Sequence, residues 1–130
     1  MESGNEWFAI IFSIDRVKLI NARFGYATGD KVLMLARNHL KQSLSAGDRL
    51  FRWTGPVYLV LVKRDAGQEQ VMDEVRKITS LKLGTEVRIG NRSVLLPISA
   101  TSIVFPVAKM HSHAECIRRI DEFIASPSCR

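Results

Sequence analysis

Apolar positions along this chain follow two rhythms, one of strands and one of helices. Residues 7–14 (WFAIIFSI) make a nearly unbroken apolar run rich in β-branched and aromatic side chains, the pattern of a central strand buried on both faces. From Val17 the spacing turns helical through Ile20, Asn21 and Phe24, and Gly25 supplies a stop. Thr28 is placed as an N-cap and Asp30 as a first-turn acid for a second helix. Its apolar stripe runs through Val32, Leu33, Ala36, Leu40 and Leu44, with an end near Ser45 or Ala46. Residues 49–53 and 57–62 read as short strands joined at Thr54, Gly55 and Pro56, the spacing of a hairpin. Helical spacing returns over residues 68–81, with Val71, Val75 and Ile78 inward. Residues 86–89 and 93–105 read as strands about a turn at Gly90 and Asn91, with Pro97 and Pro106 limiting them. A last amphipathic helix covers residues 112–124, turning Ile117, Ile120 and Ile124 inward.

This order of elements predicts an α/β (α+β) fold in which helices cover a mainly antiparallel sheet. A length of 130 residues with 46% hydrophobic positions is the scale of one globular unit with a proper core. No internal repeat or low-complexity run argues otherwise.

Charge changes the picture little. The formal net charge of +6 is compatible with an anionic partner. However, Arg49, Arg52, Lys63, Arg64, Lys77, Lys82, Arg88 and Arg92 are scattered over separate elements, as on an ordinary solvated surface. Cys116 and Cys129 lack CxxC spacing, which points to a reducing cytosol rather than a disulfide scaffold or zinc site. The polar, acidic N-terminus lacks signal-peptide patterning, and the run at residues 7–12 is far too short to span a bilayer. The expected location is therefore cytoplasmic, without direct membrane insertion. His39, His111 and His113 do not cluster with other ligands at metal spacing, and Trp7 and Trp53 read as core or near-core residues.

More specific information lies in one stretch, residues 12–33 (FSIDRVKLINARFGYATGDKVL). It resembles the segment of GGDEF domains, the fold of the diguanylate cyclases, that runs roughly D-x-D-x-F-K-x-I-N-D-x-Y-G-H-x-x-G-D-x-x-L. Lys18, Ile20, Asn21, Phe24, Gly25, Gly29, Asp30 and Leu33 fit without a gap. The resemblance continues through Gly47, Asp48, Arg52 and Trp53 to Thr54, Gly55, Pro56, Val57 and Tyr58, which take the place of the Gly-Gly-Asp-Glu-Phe turn.

Among GGDEF domains, two GTP-loaded copies meet and form cyclic di-GMP with the help of divalent cations held by carboxylates. The resemblance implies that Ser13 stands where the first-strand aspartate belongs, and that Pro56 and Val57 stand at the two acidic positions of the turn. A hard cation such as Mg²⁺ needs clustered carboxylate oxygens, which these three side chains do not offer. Asp15 is placed for at most a weakly held metal. Asn21 and Asp30 match positions that hydrogen-bond the guanine edge, and Leu33 one that lines the base pocket. A bland reading stands beside this: Asn21 on an exposed helix face, Asp30 merely favouring a helix N-terminus. In the last helix Glu122 falls near the phosphate-binding basic position, and Arg118 and Arg119 come a turn early. The product-inhibition motif is reduced to Asp48, with Ser45 in place of the arginine; Asp48 alone reads as a turn residue.

The leading expectation is a catalytically inactive signalling module, without catalytic residues, metal or required cofactor. It would work with other domains of its own protein, with a signalling partner or as a homodimer, and the chain would be a fragment of something longer. Weak binding of Mg²⁺ and GTP stays compatible with that expectation, and the alternatives are a GTP-binding sensor without turnover and, ranked below it, a diguanylate cyclase making cyclic di-GMP from GTP. Nucleic-acid binding is not expected, because the aromatic RNA-recognition signature is missing.

Overall fold

The computed structural model describes residues 6–65, 67–80, 83–109 and 112–125. Its strands are β1 (Glu6–Ile14), β2 (Arg49–Thr54), β3 (Val57–Arg64), β4 (Leu83–Ile89), β5 (Arg92–Ile98) and β6 (Ala100–Pro106). Its helices are α1 (Val17–Phe24), α2 (Tyr26–Gln42), α3 (Gln68–Ser80) and α4 (His113–Ala125), with a 3₁₀ turn at Val107–Lys109. A four-stranded antiparallel sheet of order β2-β3-β1-β6 is accompanied by a separate β4-β5 hairpin.

The apolar run of β1 is explained by its central position, because both of its faces are covered. Phe8, Ile10, Phe12 and Ile14 join Val32, Ala36 and Leu40 of α2 and Val71 and Val75 of α3 in the larger core. Ala9 and Ile11 point the other way, into a smaller core with Val57, Phe105 and Ile120 of α4. The expected mainly antiparallel sheet between helices is therefore what the chain forms.

Several boundaries differ from the sequence reading for local reasons. Gly25, at φ 90°, adopts a backbone conformation that side chains disfavour, so α1 ends and α2 begins directly at Tyr26. Thr28 consequently lies inside α2 rather than capping it, and its hydroxyl donates to the Phe24 carbonyl at 3.1 Å. At its other end α2 stops at Gln42, where the Ser43 N–H and hydroxyl both still donate to the carbonyl of His39. The expected long strand over residues 93–105 is two, broken at Ser99, and Pro97 sits within β5 opposite Gly84. Thr54 still pairs with Val57, so the hairpin turn is Gly55 and Pro56, with a bulge between Arg52 and Thr54. In α4, Ile120 is fully buried and Ile124 packs on the smaller core, whereas Ile117 stays half-buried outside that cluster. Leu81, His111 and Cys129 lie outside the described residues.

Candidate functional site

The end of β1 brings together the positions singled out at the first strand and the hairpin turn. Ser13 is the direct cross-strand partner of Val57 on one side and of Thr101 on the other. Ser13 is 3% exposed and Val57 1%. The Ile14 N–H donates to the Pro56 carbonyl at 2.9 Å, which fastens the turn to the strand end. Thr54 and Gly55 are exposed and Pro56 is half-buried. Tyr58, one residue on, faces the opposite side of the sheet, where its hydroxyl donates to the Leu33 carbonyl at 3.4 Å.

Asp15 follows the strand end, and both of its carboxylate oxygens are engaged. The Ser99 hydroxyl donates to one at 2.8 Å and the Thr101 hydroxyl to the other at 2.9 Å. The Asp15 N–H also donates to the Ser99 carbonyl at 2.9 Å. These three bonds hold the corner between β5 and β6 to the end of β1, which is why the strand expected over residues 93–105 breaks there. Sequence reasoning missed Ser99 and Thr101, since a partner more than eighty residues away leaves no local signal.

Asn21 and Asp30 sit where α1 and α2 meet. The Asn21 side chain lies against Gly29: a Cβ on Gly29 would stand 1.7 Å from Asn21 Oδ1. That oxygen is buried and has no hydrogen-bond partner among the described residues. Asp30, next to Gly29, is exposed, and Leu33 is 9% exposed at the margin of the larger core. Neither simple surface placement nor full core burial describes this group. It is an amide wedged against a glycine, with an acceptor unspent among the described residues, beside an exposed carboxylate.

Asp48 is not part of this group. Its carboxylate accepts from the Ser45 N–H at 2.8 Å and from both terminal nitrogens of Arg64 at 2.9 Å each, and its side chain is 2% exposed. Arg64 also reaches Glu74 at 3.1 Å. Burial pushes the Asp48 carboxyl up, but the hydrogen bonds from Arg64 and Ser45 and the guanidinium charge outweigh it and hold the group below its ordinary range. The hydrogen bonds to Asp48 and Glu74 keep Arg64 more firmly protonated than usual. In α4, Arg118 pairs with Glu122 at 3.2 Å, and Arg119 lies over the Phe105 ring, 5.3 Å from its centre. Among the described residues no helix is long and apolar enough to cross a membrane.

Comparison with known proteins agrees with this architecture. The family model "Diguanylate cyclase, GGDEF domain" matches residues 2–127. The chain is 32% identical over 61 residues to the diguanylate cyclase DgcM of Escherichia coli K12, which covers 47% of this chain and 15% of the relative. With the diguanylate cyclase DosC of the same organism it shares 22% identity over 104 residues, 79% of this chain and 22% of the relative. The chain thus spans under a quarter of the length of either. Its fold is similar to the coiled coil and GGDEF domain of DgcB from Caulobacter crescentus, solved with c-di-GMP: TM-score 0.73, 18% identity, 91% of this chain and 62% of that one. The diguanylate cyclase SiaD of Pseudomonas aeruginosa, in complex with its activator SiaC, superposes with a TM-score of 0.69 at 23% identity, over 91% of this chain and 44% of that one. With a family match across nearly its whole length and the same fold in solved relatives, this chain belongs to the GGDEF domain family.

Proposed function

We propose that this domain is a non-catalytic GGDEF module of cyclic di-GMP signalling, acting from the cytoplasm by binding other domains of its own protein, a signalling partner or a second copy. One observation carries the reading: the Ser13–Val57 pair closes the end of β1 with a buried hydroxyl against a buried alkyl group. The donor set suits a divalent cation poorly. Val57 offers no side-chain oxygen, Pro56 has no side-chain ligand, and the Asp15 oxygens already accept two hydroxyl hydrogen bonds. Without clustered carboxylates the domain lacks the means to neutralise charge during phosphoryl transfer. A protein partner accords with the fold relative SiaD, which was solved with its activator SiaC. The test is incubation of the purified domain with GTP and Mg²⁺ followed by chromatography of the nucleotides. GTP should remain unconverted, and any cyclic di-GMP formed overturns the proposal.

A second reading, GTP binding without turnover, is favoured by the buried, unpartnered Asn21 Oδ1 beside Asp30. An amide and a carboxylate together can pair with the donors and acceptors of a guanine edge. Calorimetric titration with GTP, ATP and cyclic di-GMP separates the two readings. Guanine-selective heat that is lost in Asn21→Ala or Asp30→Ala supports a sensor, and silence with all three nucleotides leaves the interaction module.

A further inference from the structure

A second surface lies away from the Ser13 end. Residues 86–89 of β4 face the corner of α1 and α2 across a groove of about 770 Å³. Among the described residues β4 pairs with β5 alone, so its other edge carries backbone N–H and C=O groups without strand partners. Residues 86–89 form one wall. The opposite wall is helical, with Phe24 and Ala27 giving apolar surface and Arg23 and Lys31 giving charge. Arg88 adds a third cation from the strand, against a single carboxylate, Glu86. All four charged side chains are exposed. Elsewhere Arg64, Arg76 and Arg118 each hold a carboxylate, whereas Arg23, Lys31 and Arg88 form no ion pair among the described residues.

We infer that this groove binds an extended, acidic polypeptide segment that adds to β4 as a third strand of the β4-β5 sheet. The free edge supplies main-chain hydrogen bonds, and the surplus positive charge selects acidic side chains over neutral or basic ones. Residues 86–89 offer roughly 13 Å of edge, the span of four paired residues. Charge on an edge strand can also serve simply to keep other strands away. Here two of the three cations stand on the facing helices, where they address whatever enters the groove rather than the edge itself. The surface is separate from the Ser13–Val57 pair, so the inference stands or falls independently of nucleotide turnover.

The experiment uses fluorescence anisotropy with a labelled extended peptide of alternating Val and Glu, a Val and Lys counterpart, and a Val and Glu version N-methylated at alternate residues. The acidic peptide should bind, more weakly as salt rises, and the basic one should not. The double charge reversal Arg23→Glu with Lys31→Glu, both on exposed helical positions, should weaken binding by about tenfold or more while leaving the circular dichroism spectrum unchanged. N-methylation should abolish binding, and the unmethylated peptide should slow amide exchange within residues 86–89. No binding of the acidic peptide, equal binding of the basic one, or indifference to charge reversal or N-methylation overturns the proposal. In that event the cations serve as edge protection.

Discussion

The guanidinium of Arg64 grips both carboxylate oxygens of Asp48, 2.9 Å to each, and so joins the turn before β2 to the end of β3. A bidentate pair of this kind, nearly closed to solvent on the Asp48 side, is among the stronger polar contacts a small domain can make.

Because the folded Asp48 carboxyl is held below its ordinary range, it contributes stability in full above the carboxyl's unfolded value. That contribution is lost as pH falls through the lower, folded value. Asp48→Asn should therefore cost about 2 kcal/mol near neutral pH. The deficit should shrink below about pH 4, where the wild-type carboxyl is losing its advantage. Urea denaturation at several pH values measures this directly. A deficit that stays constant from about pH 7 to about pH 3 would show that the ion pair is not its source.

Asn21 and Gly29 make a second mutually dependent pair. A methyl group on Gly29 would fall 1.7 Å from Asn21 Oδ1, so Gly29→Ala should destabilise by about 1–3 kcal/mol despite alanine's better helix propensity. Asn21→Ala should cost little, since the buried oxygen it removes makes no hydrogen bond among the described residues. Once that amide is gone, Gly29→Ala should be neutral or stabilising. The double-mutant cycle should then show coupling of about 2 kcal/mol, and additive effects would mean that the amide does not fill the space over Gly29.

Cys116, half-buried on α4, provides a probe of how that helix is held. Burial pushes its thiol up, and the charge of Arg119 only partly opposes this. In a Cys129→Ser background, alkylation of the native protein near pH 8 should be about tenfold slower than that of the urea-unfolded chain. Equal rates would place α4 away from the sheet.

Much of this was legible in the sequence because it is local. The uninterrupted apolar run of β1 announces a strand covered on both faces, and Val71 and Val75 mark the inward side of α3. Ser13 and Val57 were picked out by resemblance, and the register between β1 and β3 puts them opposite each other. What escaped the sequence is long-range. Nothing near Asp48 indicates Arg64 sixteen residues later, and nothing near Asp15 indicates Ser99 and Thr101. Thr28 has the chemistry of a cap, but Gly25 had already started α2 three residues earlier. A cap is set by where the backbone breaks, and here an unusual φ decides that.

Ser13→Asp puts the reading of the β1 end to a physical test. The side chain at this position is 3% exposed, with Val57 across one strand boundary and Thr101 across the other. A carboxylate introduced there loses hydration without gaining a cation, so the variant should be less stable by about 2 kcal/mol or more at neutral pH. Desolvation raises the pKa of such a group when folded, so its deficit grows as pH rises and nearly vanishes below about pH 3, where the acid is neutral in both states. Ser13→Asn, polar but uncharged, should lose less and show no such pH dependence. Thermal unfolding of both variants with and without Mg²⁺ separates two situations. If Mg²⁺ leaves Ser13→Asp unstable, the strand end has no second carboxylate ready to share a cation. If Mg²⁺ restores it, Asp15 has released its hydroxyl partners to complete a metal site, and the β1 end is one substitution away from the chemistry proposed here to be missing.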